Sequence, residues 1–319
     1  MKRVFPAFLL LSGLAVADDP KPETFVFKEV EGIEIKADVY LPAAADDVTK
    51  RPTLIWFHGG ALMLNSRAGV PPQLIELSRK QGYALVSFDY RLAPETLLPE
   101  IIADVNDALK WVHEKGPELF QADPENVIVG GASAGGYLSL MTGIQEERIP
   151  KAIVSYWGFG DILGDWTTQP NPGFGKGEAP TKEEAYAGIG DKPITSTGKE
   201  DFAARGKLFY YMKRFGKWTE IVSGVDPLKE PEKLEAFCPV RKATETFPPL
   251  LLLHGTKDPD VDYGQSVQMR DVIRDLDGSV ELITVEGGGH GLWGGDKAEI
   301  EAAFARSLEF IQEQFEAES

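Results

Sequence analysis

Short apolar runs recur along most of the chain, separated by longer segments with helical periodicity. The first two runs, 24–30 and 33–41, alternate around Glu31-Gly32, which predicts an antiparallel hairpin. Six further runs have the apolar character of buried strands: 53–57, 84–88, 127–129, 152–156, 250–253 and 280–285. Buried strands that alternate with helices predict an α/β fold, with a mostly parallel eight-stranded sheet flanked by helices.

Apolar residues at helical spacing mark the segments between these strands. The clearest are 99–115, 266–276 and 297–315, and 137–144 is compatible with a helix. The pattern is interrupted between the sixth and seventh strands, where residues 157–249 are rich in aromatics, with one helix predicted around 201–215. A connection of roughly ninety residues is too long for a plain loop. We therefore expect an insertion, or lid, that roofs a binding site.

The N-terminal residues predict an export signal. Lys2 and Arg3 precede the apolar run 4–16, and Ala15-Val16-Ala17 supplies the small residues of a cleavage site. The run is shorter than the roughly 20 residues of a membrane span, although a retained anchor or a buried strand is an alternative. We expect a signal peptide over 1–17, a single domain over 18–319, a periplasmic or secreted protein, and no membrane span in the mature chain.

Composition narrows the classes of molecule that this chain is expected to bind. The net charge of −17 argues against nucleic acid or an anionic membrane surface and favours a small-molecule partner. The single Cys238 can form no internal disulfide, and its sequence context favours a buried packing residue over a catalytic thiol.

The segment 126–136 contains the strongest chemical motif. A strand-like run leads into Gly131-x-Ser133-x-Gly135, and a helix-compatible segment follows it. This pattern is typical of a tight strand-to-helix turn that exposes a nucleophilic serine, with glycines where the backbone leaves no room for side chains. A phosphate-binding glycine loop is the alternative, but no lysine occupies the P-loop position.

A serine nucleophile needs a histidine base oriented by a carboxylate. Of four histidines, His113 lies on a helix, His58 opens a glycine motif upstream and His254 ends a strand, which leaves His290 in a glycine-rich loop. The acid is expected after the preceding strand, where Asp258 comes first. Asp260 and Asp262 are close competitors for this role.

An oxyanion hole is the third requirement, and backbone N–H groups supply it. Ala134, directly after the serine, is predicted to supply one donor, and the loop 58–61 after the third strand is predicted to supply the others.

These motifs together resemble the hormone-sensitive-lipase-like group of α/β-hydrolases, including bacterial carboxylesterases and feruloyl- and acetyl-esterase relatives. The resemblance rests on the motifs at 58–61, 89–95, 131–136, 254–258 and 289–291. It implies Ser133 as nucleophile, Asp258 as acid and His290 as base. It also implies oxyanion donors at Gly60, Ala61 and Ala134, and a structural brace at 89–95.

Two departures from this family pattern stand out. Ala61 replaces the usual third glycine of the oxyanion motif, and Ala132 stands where lipase-like members often have Asp.

The leading hypothesis is a serine carboxylesterase acting on short to medium acyl or aryl esters through an acyl-enzyme. Neither a cofactor nor a metal is expected, because no histidine–carboxylate cluster has ligand spacing. A serine peptidase or acylaminoacyl peptidase on the same fold is the second hypothesis. A non-catalytic binding protein is the third, and it predicts a damaged triad.

Overall fold

The computed structural model describes residues 21–42, 50–175 and 177–317. The signal peptide predicted over 1–17 lies outside these residues. The strands are β1 Glu23–Val30, β2 Ile33–Tyr40, β3 Arg51–Phe57, β4 Ala84–Phe88, β5 Ala122–Ala132, β6 Ala152–Tyr156, β7 Leu250–Gly255 and β8 Val280–Val285. The α-helices are α1 Pro72–Gln81, α2 Leu98–Phe120, α3 Ala134–Thr142, α4 Asp165–Thr168, α5 Lys182–Tyr186, α6 Lys199–Phe215, α7 Trp218–Ser223, α8 Pro239–Lys242, α9 Gly264–Asp275 and α10 Lys297–Glu316. Short 3₁₀ helices occupy Pro231–Lys233, Glu235–Phe237 and His290–Leu292.

All eight strands form one sheet in the order β1-β2-β4-β3-β5-β6-β7-β8. The β1–β2 and β2–β4 pairs are antiparallel, and the other five pairs are parallel. This confirms the predicted α/β-hydrolase fold with its mostly parallel sheet. Because β3, β5, β6 and β7 are parallel neighbours, their carboxyl ends share one edge, where ligands of open α/β sheets bind.

The central strands are buried on both faces because apolar side chains point both ways. Phe57 belongs to the cluster beneath α2 and α3, whereas its neighbour Trp56 belongs to the cluster beneath α1 and α10. This alternation follows from the two-residue period of a strand. The strand segments of the sequence are apolar throughout because both faces of the sheet are covered, as expected of a parallel sheet.

Several element boundaries differ from the sequence prediction. Strand β5 begins at Ala122, five residues earlier than predicted, because Ala122 pairs with Arg51 ahead of a polar stretch. Helix α2 continues to Phe120 and includes Pro117. Helix α1 was not predicted; Leu74 and Leu77 are its buried apolar residues, too few for a clear helical period.

The segment 157–249 lies between β6 and β7 and contains α4 to α8. Its apolar residues Ile162, Leu208, Met212 and Trp218 are buried in the same cluster as Phe57 of the sheet. The segment therefore packs directly on the main core. Among the described residues, no helix has the length and apolar character to cross a membrane.

Candidate active site

Ser133 lies at the turn between β5 and α3. Its backbone adopts φ 57° and ψ −121°, a conformation that costs free energy for a residue with a side chain. The turn is held by a hydrogen bond of 2.8 Å from the Ser133 N–H to the Tyr156 carbonyl on β6. The strained turn directs the serine away from the strand, as the sequence motif predicts.

Close backbone approach explains the two glycines around this serine. A Cβ atom at Gly131 would lie 2.2 Å from the Gly135 carbonyl oxygen, and one at Gly135 would lie 2.0 Å from the Phe57 carbonyl oxygen. A Cβ atom at Gly59 would lie 2.6 Å from the Ala132 carbonyl oxygen. Side chains at these positions would push the end of β3 away from the serine turn.

The structure brings together the three residues predicted to form the triad. His290 Nε2 lies 3.0 Å from Ser133 Oγ, and His290 Nδ1 lies 2.8 Å from Asp258 Oδ2. Asp258 follows β7, and His290 follows β8 at the start of a 3₁₀ helix. The ring of Trp157 lies edge-on to the imidazole, with 6.3 Å between ring centroids.

Hydrogen bonds fix the tautomer of His290. The Asp258 carboxylate can only accept, so His290 Nδ1 carries the proton and donates it to this hydrogen bond. His290 Nε2 then presents its lone pair to the Ser133 hydroxyl. Burial lowers the pKa of His290, but the hydrogen bond and charge of Asp258, aided by Asp260, raise it above the ordinary 6.5. The imidazole is thus prepared to accept a proton.

Asp258 accepts hydrogen bonds at both carboxylate oxygens. Oδ1 accepts from the backbone N–H groups of Asp260 and Val261 at 2.8 and 3.0 Å. Burial raises the pKa of this carboxyl, but hydrogen bonds from His254 and His290 outweigh that effect and hold its pKa well below the usual range. Asp258 is therefore ionised and fully oriented, whereas its competitor Asp262 accepts from the Gly264 N–H.

His254 contacts the triad, which the sequence reasoning missed. Its Nε2 lies 3.2 Å from Asp258 Oδ2 and 3.1 Å from the Val261 carbonyl oxygen, and its Nδ1 lies 2.7 Å from Ser266 Oγ. Two acceptors at Nε2 require the proton there, so the Ser266 hydroxyl donates to Nδ1. The four-residue spacing of His254 and Asp258 was the available signal.

The predicted oxyanion loop follows β3. The Gly59 carbonyl accepts from His58 Nδ1 at 2.8 Å and Asn65 Nδ2 at 3.2 Å, and the Gly60 carbonyl accepts from the Met63 and Leu64 N–H groups at 2.9 Å. In a trans peptide the N–H points opposite to the carbonyl. These bonds therefore fix the directions of the next two N–H groups along the chain.

The Gly60 and Ala61 N–H groups donate to no protein acceptor among residues 21–42, 50–175 and 177–317. Ala134 is the first residue of α3, a position whose N–H has no partner within the helix. Gly60 adopts φ 121°, which requires glycine, whereas Ala61 adopts φ 55° in spite of its side chain. All three donors predicted from sequence are thus available for an external acceptor.

The segment 89–95 packs behind this loop. The Ala93 N–H donates to the Leu62 carbonyl at 2.8 Å. Arg205 of α6 donates to the Met63 and Ala93 carbonyls at 3.0 and 2.9 Å and forms an ion pair with Glu95. The insertion thus reaches the oxyanion loop and its predicted brace directly.

The remaining candidates lie away from the reacting atoms. His58 is buried and stacked on Tyr90 at 4.3 Å, and burial lowers its pKa to about 4. His113 on α2 donates a hydrogen bond from its Nδ1 to the Leu109 carbonyl of the same helix. Burial raises the pKa of Cys238 to about 12, so this thiol is unreactive. Within the described part of the chain, no cluster of three or more His, Cys, Asp or Glu side chains is arranged to hold a metal ion.

Two family models match successive parts of the chain. The BD-FAE model matches residues 37–161, which include the oxyanion loop and the serine turn. The prolyl oligopeptidase family model matches residues 205–318, which include Asp258 and His290.

Solved structures resemble most of the chain. A thermophilic esterase from Thermogutta terrifontis superposes with a TM-score of 0.64 at 21% identity, covering 92% of each chain. Its form phosphonylated by sarin gives 0.63 at 22% identity, covering 94% of this chain and 96% of that one. A truncated carbohydrate esterase from gut microbiota gives 0.64 at 20% identity, covering 94% and 99%. These likenesses place the chain in the α/β-hydrolase fold.

The curated relatives are much larger proteins. A non-reducing polyketide synthase, trt4 of Aspergillus terreus, is 32% identical over 200 residues, which cover 58% of this chain and 8% of the synthase. The chain therefore matches only a small part of these relatives.

His254→Phe should reduce kcat/KM for p-nitrophenyl acetate about tenfold to a hundredfold, because one donor to the Asp258 carboxylate is lost and the acid moves. His113→Phe removes an imidazole that does not contact the triad and serves as the control, with wild-type kinetics expected. Equal kcat/KM for the two folded variants, measured beside their thermal unfolding, would show that His254 does not support the acid.

Proposed function

We propose that this chain, which is a serine hydrolase of the α/β-hydrolase group, is a carboxylesterase that cleaves short to medium acyl or aryl esters. The observation that carries the proposal is the continuous hydrogen-bonded series from Ser133 through His290 to Asp258, beside a loop of free N–H donors. The esterases among the structural neighbours support the same activity.

The reaction proceeds in two halves. Ser133 Oγ attacks the ester carbonyl carbon while His290 Nε2 takes the hydroxyl proton, and the carbonyl oxygen becomes an oxyanion held by the N–H groups of Gly60, Ala61 and Ala134. When the intermediate collapses, His290 returns the proton to the leaving alcohol. Water then attacks the acyl-enzyme by the same route and releases the acid and free serine.

Aromatic side chains from the insertion lie next to the oxyanion loop and support a small or aryl substrate. Trp218 Nε1 donates to the Ala61 carbonyl at 3.1 Å, and its ring stacks with Trp166 at 6.3 Å between centroids. Phe159 packs edge-on to Trp218 at 5.3 Å. Trp218 and Phe159 are almost fully buried, so of these three rings the partly buried Trp166 retains a flat apolar surface that could pack against an aryl group or a short acyl chain.

Amide cleavage is the second candidate, because the prolyl oligopeptidase family model matches residues 205–318. The same triad serves peptide hydrolysis, so substrate preference separates the two activities.

We also propose that the chain is exported to the periplasm or the extracellular space. The basic start, the apolar run 4–16 and the small residues at 15–17 support this. Expression with residues 1–17 included, in a Gram-negative host, should yield an exported chain that begins at Asp18, as checked by intact mass of the exported fraction. Recovery of only the full-length mass from the cytoplasm would refute export.

Ser133→Ala should lower the turnover of p-nitrophenyl acetate or butyrate on the order of 10⁶-fold and abolish labelling by an organophosphonate probe, because no other residue replaces the nucleophile. Ser78→Ala removes a buried hydroxyl on α1 that has no hydrogen-bond partner among the described residues, and it should retain full activity. Peptide mapping of the labelled wild type should identify Ser133.

An inert wild type, or a label on another residue, would exclude this mechanism. Comparable kcat/KM for a matched p-nitroanilide and ester would favour the peptidase.

The activity should rise with pH through the pKa of His290, since only the neutral imidazole accepts the serine proton. Asp258 raises that pKa, so the acid limb of kcat/KM should lie above the ordinary histidine value of 6.5. Initial rates at fixed ionic strength check this expectation, and an acid limb below 6.5 contradicts it.

A further inference from the structure

Lys213 of helix α6 is a buried ammonium group beside the acid loop, the segment 258–262 that follows β7. Only 7% of the residue is exposed. Its Nζ donates to the backbone carbonyl of Asp260 and lies over the rings of Trp166 and Phe174, 5.1 and 5.5 Å from their centroids. A lysine is rarely buried unless its charge is compensated, and the mechanism derived above does not use this one.

The surroundings of Lys213 stabilise a positive charge. Aromatic faces and a carbonyl oxygen attract an ammonium group, and the carboxylates of Asp258 and Asp260 face it. Burial lowers the pKa of Lys213, while these two carboxylates oppose that effect. The lysine therefore adds a cation to a site that otherwise contains two carboxylates.

The contacts of Lys213 connect both halves of the site. Through Asp260 it reaches the loop that bears the catalytic acid. Through Trp166, which stacks on Trp218, it reaches the carbonyl of Ala61 in the oxyanion loop. Eight residues earlier, about 12 Å along the same helix, Arg205 binds the Met63 carbonyl directly behind that loop. Helix α6 is thus anchored near its middle by Arg205 and near its C-terminal end by Lys213.

We propose that Lys213 is a positioning residue, which holds the acid loop from the insertion and directs a positive charge toward the imidazole of His290. This inference rests on the proposed function, because it assigns His290 the role of base. The charged and titratable groups that face His290 are Asp258 and Asp260 from the acid loop, Lys213 from α6 and Ser133 from the serine turn; His254 acts through Asp258.

The sign of the electrostatic effect follows from these groups. The two carboxylates favour the imidazolium form of His290, and Lys213 opposes them. Without the lysine, His290 stays protonated to a higher pH, so less of the enzyme holds a free base near neutrality. Loss of the bond to the Asp260 carbonyl also loosens the acid loop.

Lys213→Met tests the proposal, because methionine keeps the length and apolar packing but removes the charge and the donor. We expect kcat for p-nitrophenyl acetate to fall about tenfold with KM within about twofold, since the bound geometry of the base is disturbed and substrate contacts are not. We also expect the His290 titration, followed by NMR of the full chain with isotope-labelled histidine, to move to higher pH.

Lys207→Met is the matched control, because Lys207 lies exposed on the same helix and its charge is screened by solvent. It should leave both kcat and the His290 titration unchanged. Lys213→Gln keeps a donor for the Asp260 carbonyl but has no charge, so it should shift the titration upward with a smaller loss of kcat. Lys213→Arg keeps the charge and should titrate as the wild type does.

Several results would overturn the proposal. They are an unchanged or downward His290 titration in folded Lys213→Met, an equal shift in Lys207→Met, and a raised KM at unchanged kcat. Failure of both neutral variants to fold would reduce Lys213 to a stability residue. The NMR titration needs no turnover, so an inactive wild type would reject the proposed function alone.

Discussion

The site depends on how closely the end of β3 approaches the turn that carries Ser133. The carbonyl oxygen of Phe57 lies where a side chain at Gly135 would begin, and the carbonyl oxygen of Ala132 likewise leaves no room for a side chain at Gly59. At such distances no side chain fits between the two backbones, so the oxyanion loop and the nucleophile form one rigid unit. The unfavourable φ of Ser133 persists because this packing leaves the turn no alternative conformation. Hydrogen bonds hold the carbonyl of each of these peptides in the oxyanion loop, so the N–H group on the far side of the same peptide has a fixed direction. These donors need no reorganisation during the reaction.

The acid side of the site obeys a different constraint. An ionised carboxylate in a buried position is costly unless each oxygen is compensated. Asp258 meets this requirement with two backbone N–H groups and two imidazoles, and only one of these imidazoles can act as the base. His254 is held by Ser266 in the tautomer that donates to the acid, which leaves His290 free to transfer the proton. The division of labour between two histidines on one carboxylate therefore follows from their other hydrogen-bond partners.

Much of this arrangement was predictable from local sequence. The strand runs predicted the sheet because strands buried on both faces must be apolar throughout, and the order of Ser133, Asp258 and His290 followed from the motifs at strand ends. Helix α1 escaped detection because it buries few apolar residues. The supporting roles of Arg205 and Lys213 escaped for another reason. The sequence does not distinguish a buried arginine or lysine from a solvated one, and the partners of these two residues lie more than forty residues away along the chain. Such long-range pairs carry no local periodicity, so only the packed structure reveals them.

The insertion was expected to cover the site as a roof, yet its apolar residues belong to the hydrophobic core of the sheet. Arg205 and Glu95 form a buried ion pair with 3% and 1% of their side chains exposed, and Arg205 also binds two carbonyls behind the oxyanion loop. Withdrawing α6 would break this ion pair and leave the loop carbonyls without their donor, and each charge that stayed buried without its partner would cost about 3–5 kcal/mol. Opening of the whole insertion is therefore an expensive motion, comparable with a large part of the stability of a typical domain. Substrate access through movement of the segments of the insertion that make no such contact costs less free energy. We therefore expect helix α6 to remain in place during turnover, as a positioning element must.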